Sequence, residues 1–326
     1  MNTIRPEMKA KARRQIKVYL PGMAASSWSV ASVTLLSPAK INLFLAVTGR
    51  RADGFHDLVS VVAPLEFGDE LTAEESGSPK AGSGAFTLEC DDPAVPVDGT
   101  NLVLKAAASY AAATGWKGGV HFRLTKRIPL GAGLGGGSSN AVAALRAVDR
   151  LAGGRADAAQ LEALAAGLGS DCPLFLQNGP VILRGRGERV EPLPEASARR
   201  LRGQSVLLCK PSFAVSTAWA YARMAARGTD YLPAAEAERR LAQWQAQPAL
   251  VGDLLFNNME PAAFEKYPAL SLLLQKIGAL GFAARMSGSG SACFAWSGEN
   301  QDKATVAATI REAWGSGVFL QKTHIC

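Results

Sequence analysis

The chain has 326 residues, 48% of them hydrophobic and 19% charged. That balance excludes a disordered polymer and leaves room for two domains. The formal net charge is +7, but +5 of it lies in residues 1–22, so the rest offers no broad basic face for nucleic acid. A phosphorylated small molecule needs only a few local cations. The five cysteines (Cys90, Cys172, Cys209, Cys293 and Cys326) are scattered and odd in number, and His56, His121 and His324 form no ligand-spaced group. These features point to free thiols in a reducing, cytoplasmic setting, and away from a disulfide framework or a zinc site.

Residues 1–32 are basic, poor in acids and without core periodicity, and are expected to be a disordered extension. A transit peptide and a true start at Met23 are the other readings. Ser26, Ser27, Ser29 and Ser32 break the apolar part, and no run reaches transmembrane length. Residues 33–47 read as a strand or a pair of strands. Lys40 and Asn42 are two apart, so they share one strand face. Residues 58–67 read as a second strand, with Gly68-Asp69-Glu70-Leu71 turning into a third, and 76–84 as a loop. Residues 101–114 are alanine-rich and helical. Residues 119–126 form a strand that puts His121 on the solvated face.

That strand delivers Pro129-Leu130-Gly131-Ala132-Gly133-Leu134-Gly135-Gly136-Gly137-Ser138-Ser139-Asn140, followed by the strong helix opening Ala141-Val142-Ala143-Ala144-Leu145-Arg146. Glycines let backbone approach a ligand closely, and a helix start offers unpaired N–H groups and a positive dipole end. The combination suits phosphate. No Gly-Lys-Ser/Thr follows, so the Walker loop is excluded. Gly131, Gly133 and Gly136 fit a dinucleotide fingerprint as letters. However, the helix stops at Leu151-Ala152-Gly153-Gly154, and 157–167 reads as another helix where that fold needs a strand.

Further on, 181–183 and 189–191 suggest a hairpin across Gly185-Arg186-Gly187, and the Pro- and Arg-rich 191–203 suggests a linker. Strands at 205–209, 281–286, 292–296 and 317–323 alternate with helices at 216–226, 234–247, 260–278 and 303–314. The whole reads as an α+β chain with domains at 33–200 and 201–326. On residue pattern alone Asp171 is either a catalytic base or a helix N-cap ahead of Pro173. Lys40 is either catalytic or a surface strand lysine, and Tyr221 either a ligand contact or a helix-core residue.

The glycine run resembles the phosphate-binding motif of the GHMP kinases, the small-molecule kinases named for galactose, homoserine, mevalonate and phosphomevalonate. Ser37-Pro38-Ala39-Lys40-Ile41-Asn42-Leu43-Phe44-Leu45 resembles that family's first motif, and Met286-Ser287-Gly288-Ser289-Gly290-Ser291 its third. Gly49-Arg50-Arg51-Ala52-Asp53-Gly54-Phe55-His56 is similar to the signature of the branch that phosphorylates a cytidyl-diphosphate sugar alcohol. Leu168-Gly169-Ser170-Asp171-Cys172-Pro173 resembles that branch's Gly-Ala-Asp-x-Pro segment, with Ser170 where alanine is usual. Homoserine- and mevalonate-type kinases lack the Asp-Gly-Phe-His element. A catalytically dead homologue would be expected to have lost Lys40 or Asp171.

The resemblance implies a two-domain fold with the active site in the cleft between the domains, and ATP as co-substrate with Mg2+. It implies Asp171 as base, with Lys40 holding it ionised, and Pro129 to Ser139 as the ATP loop. Ser138 or Ser139 would touch the magnesium; other metal ligands stay unassigned. Asn42 would be a polar substrate contact. Phe55 and Tyr221 would sandwich the cytosine, with His56 on its edge and the Thr217 hydroxyl nearby. Oligomeric state is not indicated.

Overall fold

A computed structural model of the chain describes residues 31–76, 86–246, 251–296 and 303–326. The expected N-terminal extension up to residue 30 and the polar loop from residue 77 lie outside the described residues.

Two long antiparallel strands, β1 (Ser32–Arg50) and β2 (His56–Ser76), form the spine of the first sheet. The turn expected at Gly68 does not occur, because β2 runs straight through it. Gly68 lies opposite Pro38, and a Cβ there would fall on the Ser37 carbonyl oxygen. The glycine therefore serves close strand approach. The next residue, Asp69, is fully buried. Its carboxylate accepts the N–H groups of Arg127 and Ile128 (2.7 Å each) and pairs with Lys126. This anchors the chain leading into the glycine run.

The sheet continues outward through β4 (Gly119–Thr125) to β3 (Phe86–Cys90). On the other side β1 meets the two-residue β8 (Phe256–Asn257). The expected hairpin is present as β5 (Val181–Arg184), which pairs with β2, and β6 (Arg189–Pro192). His121 is half-exposed and bonded to Thr87, while its neighbours Val120, Phe122 and Leu124 are buried. Helices α1 (Leu102–Thr114), α2 (Gly136–Leu151) and α3 (Ala158–Leu168) share a core with this sheet, through Tyr110, Val142, Leu145, Phe122 and Leu71. Asn101 caps α1, and Asp157 with Gln160 forms a capping box on α3.

The second sheet is antiparallel, in the order β11 (Phe319–His324), β7 (Ser205–Lys210), β10 (Cys293–Trp296), β9 (Ala283–Met286). Helices α5 (Thr217–Arg227), α7 (Glu260–Lys266), α8 (Pro268–Ala279) and α9 (Lys303–Trp314) pack with it through Met224, Leu270, Ile277 and Ile310. The single helix expected over 260–278 is broken at Tyr267, whose φ of −124° and ψ of 66° are not helical. Pro268 is the cause, since proline donates no N–H and pushes the residue before it out of the α region.

A third apolar cluster joins Ile41, Leu65 and Leu134 to Leu208 and Phe294 of the second sheet. It also takes in α4 (Glu195–Leu201) and α6 (Ala234–Ala246) through Leu201 and Leu241. The stretch 191–203, expected as a linker, consists of the end of β6 followed by a packed helix, with Ala198 and Leu201 fully buried. Removing a leucine from such a site costs about 2–5 kcal/mol. The C-terminus bridges as well: Cys326 N–H donates to Pro64 O (3.0 Å). Ala31–Cys326 accordingly forms one compact unit holding both sheets.

Candidate active site

Lys40 sits mid-strand in β1, only 5% exposed, and its N–H donates to Leu134 O (2.9 Å), which ties β1 to the glycine run. Its ammonium donates to Asn42 Oδ1 (2.6 Å). Asn42 Nδ2 in turn donates to Ser60 Oγ (3.0 Å), and that hydroxyl to Phe44 O (2.6 Å). The relay fixes the Asn42 amide with its oxygen toward the lysine. Burial pulls the Lys40 ammonium below the usual lysine range, and the charge of Asp171 opposes that shift. Lys40 and Asp171 therefore act on one another electrostatically, although 131 residues separate them.

Asp171 does not cap a helix. The single 3-10 turn that follows, Pro173–Leu176, has Cys172 as its N-cap residue and no side-chain cap. Among the described residues no hydrogen-bond donor engages the Asp171 side chain, and it lines the same cavity as Lys40. Burial holds the neighbouring Cys172 thiol up at about 11, partly offset by a hydrogen bond with Ser138, so it is a neutral packing group.

The glycine run turns through residues 129–135 and starts α2 earlier than the alanines suggested, at Gly136. Gly135 is the N-cap with φ of 74°, a left-handed conformation, and no side chain caps the helix. A Cβ on Gly135 would lie 2.9 Å from Phe175 Cζ and 3.0 Å from Lys40 Cγ. The helix end is thus uncapped and next to Lys40, as anion binding requires. The two serines divide. Ser139 is buried and hydrogen-bonded with Ser37 (2.9 Å), whereas Ser138 is half-buried in the first turn.

The third glycine motif closes the loop from the second sheet. Ser287 Oγ donates to Gly133 O (3.2 Å), and Ala292 N–H to Ala132 O (3.1 Å). Ser289 pairs with Thr217 Oγ1 (2.9 Å) at the start of α5. Asn257 Nδ2 holds this motif by donating to Met286 O (2.8 Å) and Gly288 O (2.9 Å). Asn258 bonds both backbone groups of Val47 (2.8 Å each). Sequence reasoning missed Asp69, Ser60, Asn257 and Asn258. Their only local signal is a polar residue within an apolar stretch.

These elements enclose a cavity of about 980 Å3 whose lining includes Lys40, Asn42, Gly133, Gly135, Asp171 and Thr217. Phe55, His56 and Tyr221 line it too, with Arg50 and Arg186. Phe55 is 51% exposed, unusual for so large an apolar ring. His56 is buried; its Nε2 bonds Tyr231 OH (3.1 Å), and its ring packs 4.8 Å from that of Tyr221. Burial, then the charge of Arg50, pulls the His56 pKa down, so the ring is neutral at neutral pH. Tyr221 is half-buried, and its hydroxyl is pushed up to about 12 by burial, with Asp171 adding to the shift. Both halves of the chain contribute to the cavity. Leu130 and Gly131, by contrast, are exposed at the outer edge of the loop.

No described residues gather three or more His, Cys, Asp or Glu side chains as a metal site, and none forms a helix long and apolar enough to cross a membrane. All five cysteines are free.

Residues 101–179 match the GHMP kinases N terminal domain, and residues 242–316 the GHMP kinases C terminal domain. A 4-diphosphocytidyl-2-C-methyl-D-erythritol kinase of Synechococcus elongatus is 39% identical over 278 residues, covering 81% of this chain and 85% of that one. The chloroplastic kinase of the same name from Mentha piperita is 38% identical over 266 residues. That match takes in 80% of this chain but only 63% of the plant protein. A crystal structure of 4-(cytidine 5'-diphospho)-2C-methyl-D-erythritol kinase superposes with a TM-score of 0.71 at 35% identity, covering 90% of this chain and 99% of the other. The chain belongs to the GHMP kinases and, among them, to the 4-diphosphocytidyl-2-C-methyl-D-erythritol kinase family.

Proposed function

We propose that this chain transfers the γ-phosphoryl group of ATP to the 2-hydroxyl of 4-diphosphocytidyl-2-C-methyl-D-erythritol, a step of the non-mevalonate route to isoprenoid precursors. The observation that carries the reading is the juxtaposition, in the lining of one cavity, of Lys40 and Asp171 beside an uncapped glycine-run helix start with the rings of Phe55, His56 and Tyr221.

The steps follow from these groups. Pro129, Leu130, Gly131, Ala132, Gly133, Leu134 and Gly135 wrap the ATP phosphates, with backbone N–H groups of Gly136, Gly137 and Ser138 aimed at them. The substrate hydroxyl gives its proton to Asp171 as its oxygen attacks the γ-phosphorus. The bond to the β–γ bridging oxygen breaks, and ADP leaves. Lys40 keeps Asp171 ionised and offsets charge building on the transferred group. Asn42 holds the ammonium in place. Phe55 and Tyr221 take the cytosine between them, and His56 reads its edge while Tyr231 fixes the imidazole. Thr217 lies on the same wall.

Mg2+ fits as an ion carried in with ATP: there is no carboxylate cage among the described residues, and magnesium commonly keeps waters and substrate phosphates as ligands. Ser138, half-buried in the first turn and bonded among the described residues only to the weak acceptor Cys172, would reach it more readily than Ser139, which is buried and engaged with Ser37. Bound there, the ion would neutralise phosphate charge. Free thiols throughout suit a reducing, cytoplasmic compartment.

The test is ATP consumption across a panel of the cytidyl substrate, homoserine and mevalonate. Turnover is expected with the cytidyl substrate alone. Turnover confined to homoserine or mevalonate overturns the assignment.

A further inference from the structure

The cavity has two cationic side chains that the reaction scheme does not use. Arg186 is at the tip of the β5–β6 hairpin, and the turn is pinned to β2 by Leu58 N–H donating to Gly185 O (2.7 Å). Its guanidinium carbon lies 5.0 Å from the centre of the Phe55 ring. A Cβ on the next residue, Gly187, would be 4.0 Å from Asp171 Oδ1. Two consecutive residues therefore run from beside Phe55 to beside Asp171. Arg50 faces this span from β1. It is the register partner of His56, and its charge acts on both His56 and Tyr231.

Neither guanidinium forms an ion pair among the described residues; the Glu188 carboxylate instead accepts the Arg186 backbone N–H (2.6 Å). The neighbouring arginines do form ion pairs: Arg51 pairs with Asp53 and Asp57 (3.1 Å each), and Arg184 with Glu191 (2.8 Å) and Glu238 (2.7 Å). Asp53 feels the charge of Arg186 but is held by Arg51. With Lys40 and Asp171 cancelling, the charged side chains left in the lining are the guanidinium groups of Arg50 and Arg186. A diphosphate diester carries one negative charge on each phosphate, and guanidinium matches phosphate geometry in paired hydrogen bonds.

We infer that Arg50 and Arg186 clamp the diphosphate that links the cytidine to the sugar alcohol, and that this clamp selects against substrates with a single carboxylate. The inference rests on the substrate reading above. The two arginines set specificity and stay remote from the transferred group.

The test is equilibrium binding of cytidine and of cytidine 5'-diphosphate, with the ATP site filled by a non-hydrolysable analogue. Wild type, Arg50→Gln, Arg186→Met and the double variant are compared, with melting temperature as a check on folding. Wild type should bind the diphosphate at least about 10-fold tighter than cytidine, and each single variant should lose about 10-fold of that gain. Cytidine affinity should stay within about three-fold, and Arg186→Lys should recover part of the loss. With the full substrate, KM should rise about 10-fold per variant at nearly constant kcat. An unchanged ratio of diphosphate to cytidine affinity in a folded double variant overturns the clamp. A wild-type protein that does not bind cytidine at all overturns the substrate reading, and the clamp with it.

Discussion

The proposed function divides the cavity lining into a reacting end around Lys40 and Asp171 and a recognition end around Phe55. At the first, Lys40, Asn42 and Ser60 are buried and joined in one hydrogen-bonded relay, with Asp171 set against it by charge. At the recognition end Phe55 is half in solvent, and His56, Tyr221 and Tyr231 are held mainly by ring contacts. The contrast follows from what each end handles. Charge that develops during a reaction is best met by groups fixed beforehand, because nothing then has to reorganise. A planar base needs only two faces and an edge, and exposed aromatics supply these while leaving a path in. Changes at the first end should therefore appear mainly in kcat, and at the second mainly in KM.

The largest expected effect is that of Asp171→Asn, which removes the proposed proton acceptor but no proposed phosphate contact. Turnover should fall about 10²–10⁴-fold with ATP affinity nearly intact, as read by steady-state kinetics and nucleotide titration. Near-normal turnover would erase the distinction between the ends. Asp69→Ala tests the support beneath the glycine run. It leaves Lys126 buried without its partner and two N–H groups unpaired, and should cost about 3–5 kcal/mol of stability by denaturant unfolding. A loss under about 1 kcal/mol would mean that the loop is held elsewhere.

Phe55→Ala probes the recognition end. Base–aromatic stacking is worth roughly 1–3 kcal/mol, so KM for the cytidyl substrate should rise about 10- to 100-fold, with little change for ATP. Tyr221→Ala should act in the same direction. Wild-type KM in Tyr221→Ala alone would return that residue to a packing role against His56. The smallest effect is a pH shift. Burial lowers the Lys40 pKa, and the proposed mechanism uses the charged form, so activity is expected to fall as pH rises through a value below the ordinary 10.5. A kcat profile flat to pH about 10.5 would contradict a charged, buried lysine.

The glycine run and the Lys40–Asn42 alternation were legible because each signal lies within a few residues, and backbone needs at a phosphate loop are met by composition. The two halves of the α+β chain were legible for the same reason. Asp69, Ser60 and Asn258 were not. Their partners lie 57–59, 16–18 and up to 211 positions away, so the only local mark is a polar residue within an apolar stretch. Gly68 read as a turn because glycine promotes turns and close strand contacts alike, and only the partner strand tells them apart. The helix Glu195–Leu201 within 191–203 was obscured by Pro192 at the end of β6 and Pro194 at the cap position, both outside the helix interior that proline disrupts. Asp171 was ambiguous on pattern alone, and the cap position of Cys172 decides against the helix-cap alternative.

The most direct test of the account is the identity of the product. Purified protein, ATP and 4-diphosphocytidyl-2-C-methyl-D-erythritol should yield ADP and a new phosphomonoester on the 2-hydroxyl, seen by phosphorus NMR with the diphosphate signals retained. The Asp171→Asn protein should form it at least about 10²-fold more slowly. Phosphorylation at another hydroxyl, or an unaltered substrate alongside hydrolysed ATP, would contradict the placement of the substrate between Phe55 and Asp171.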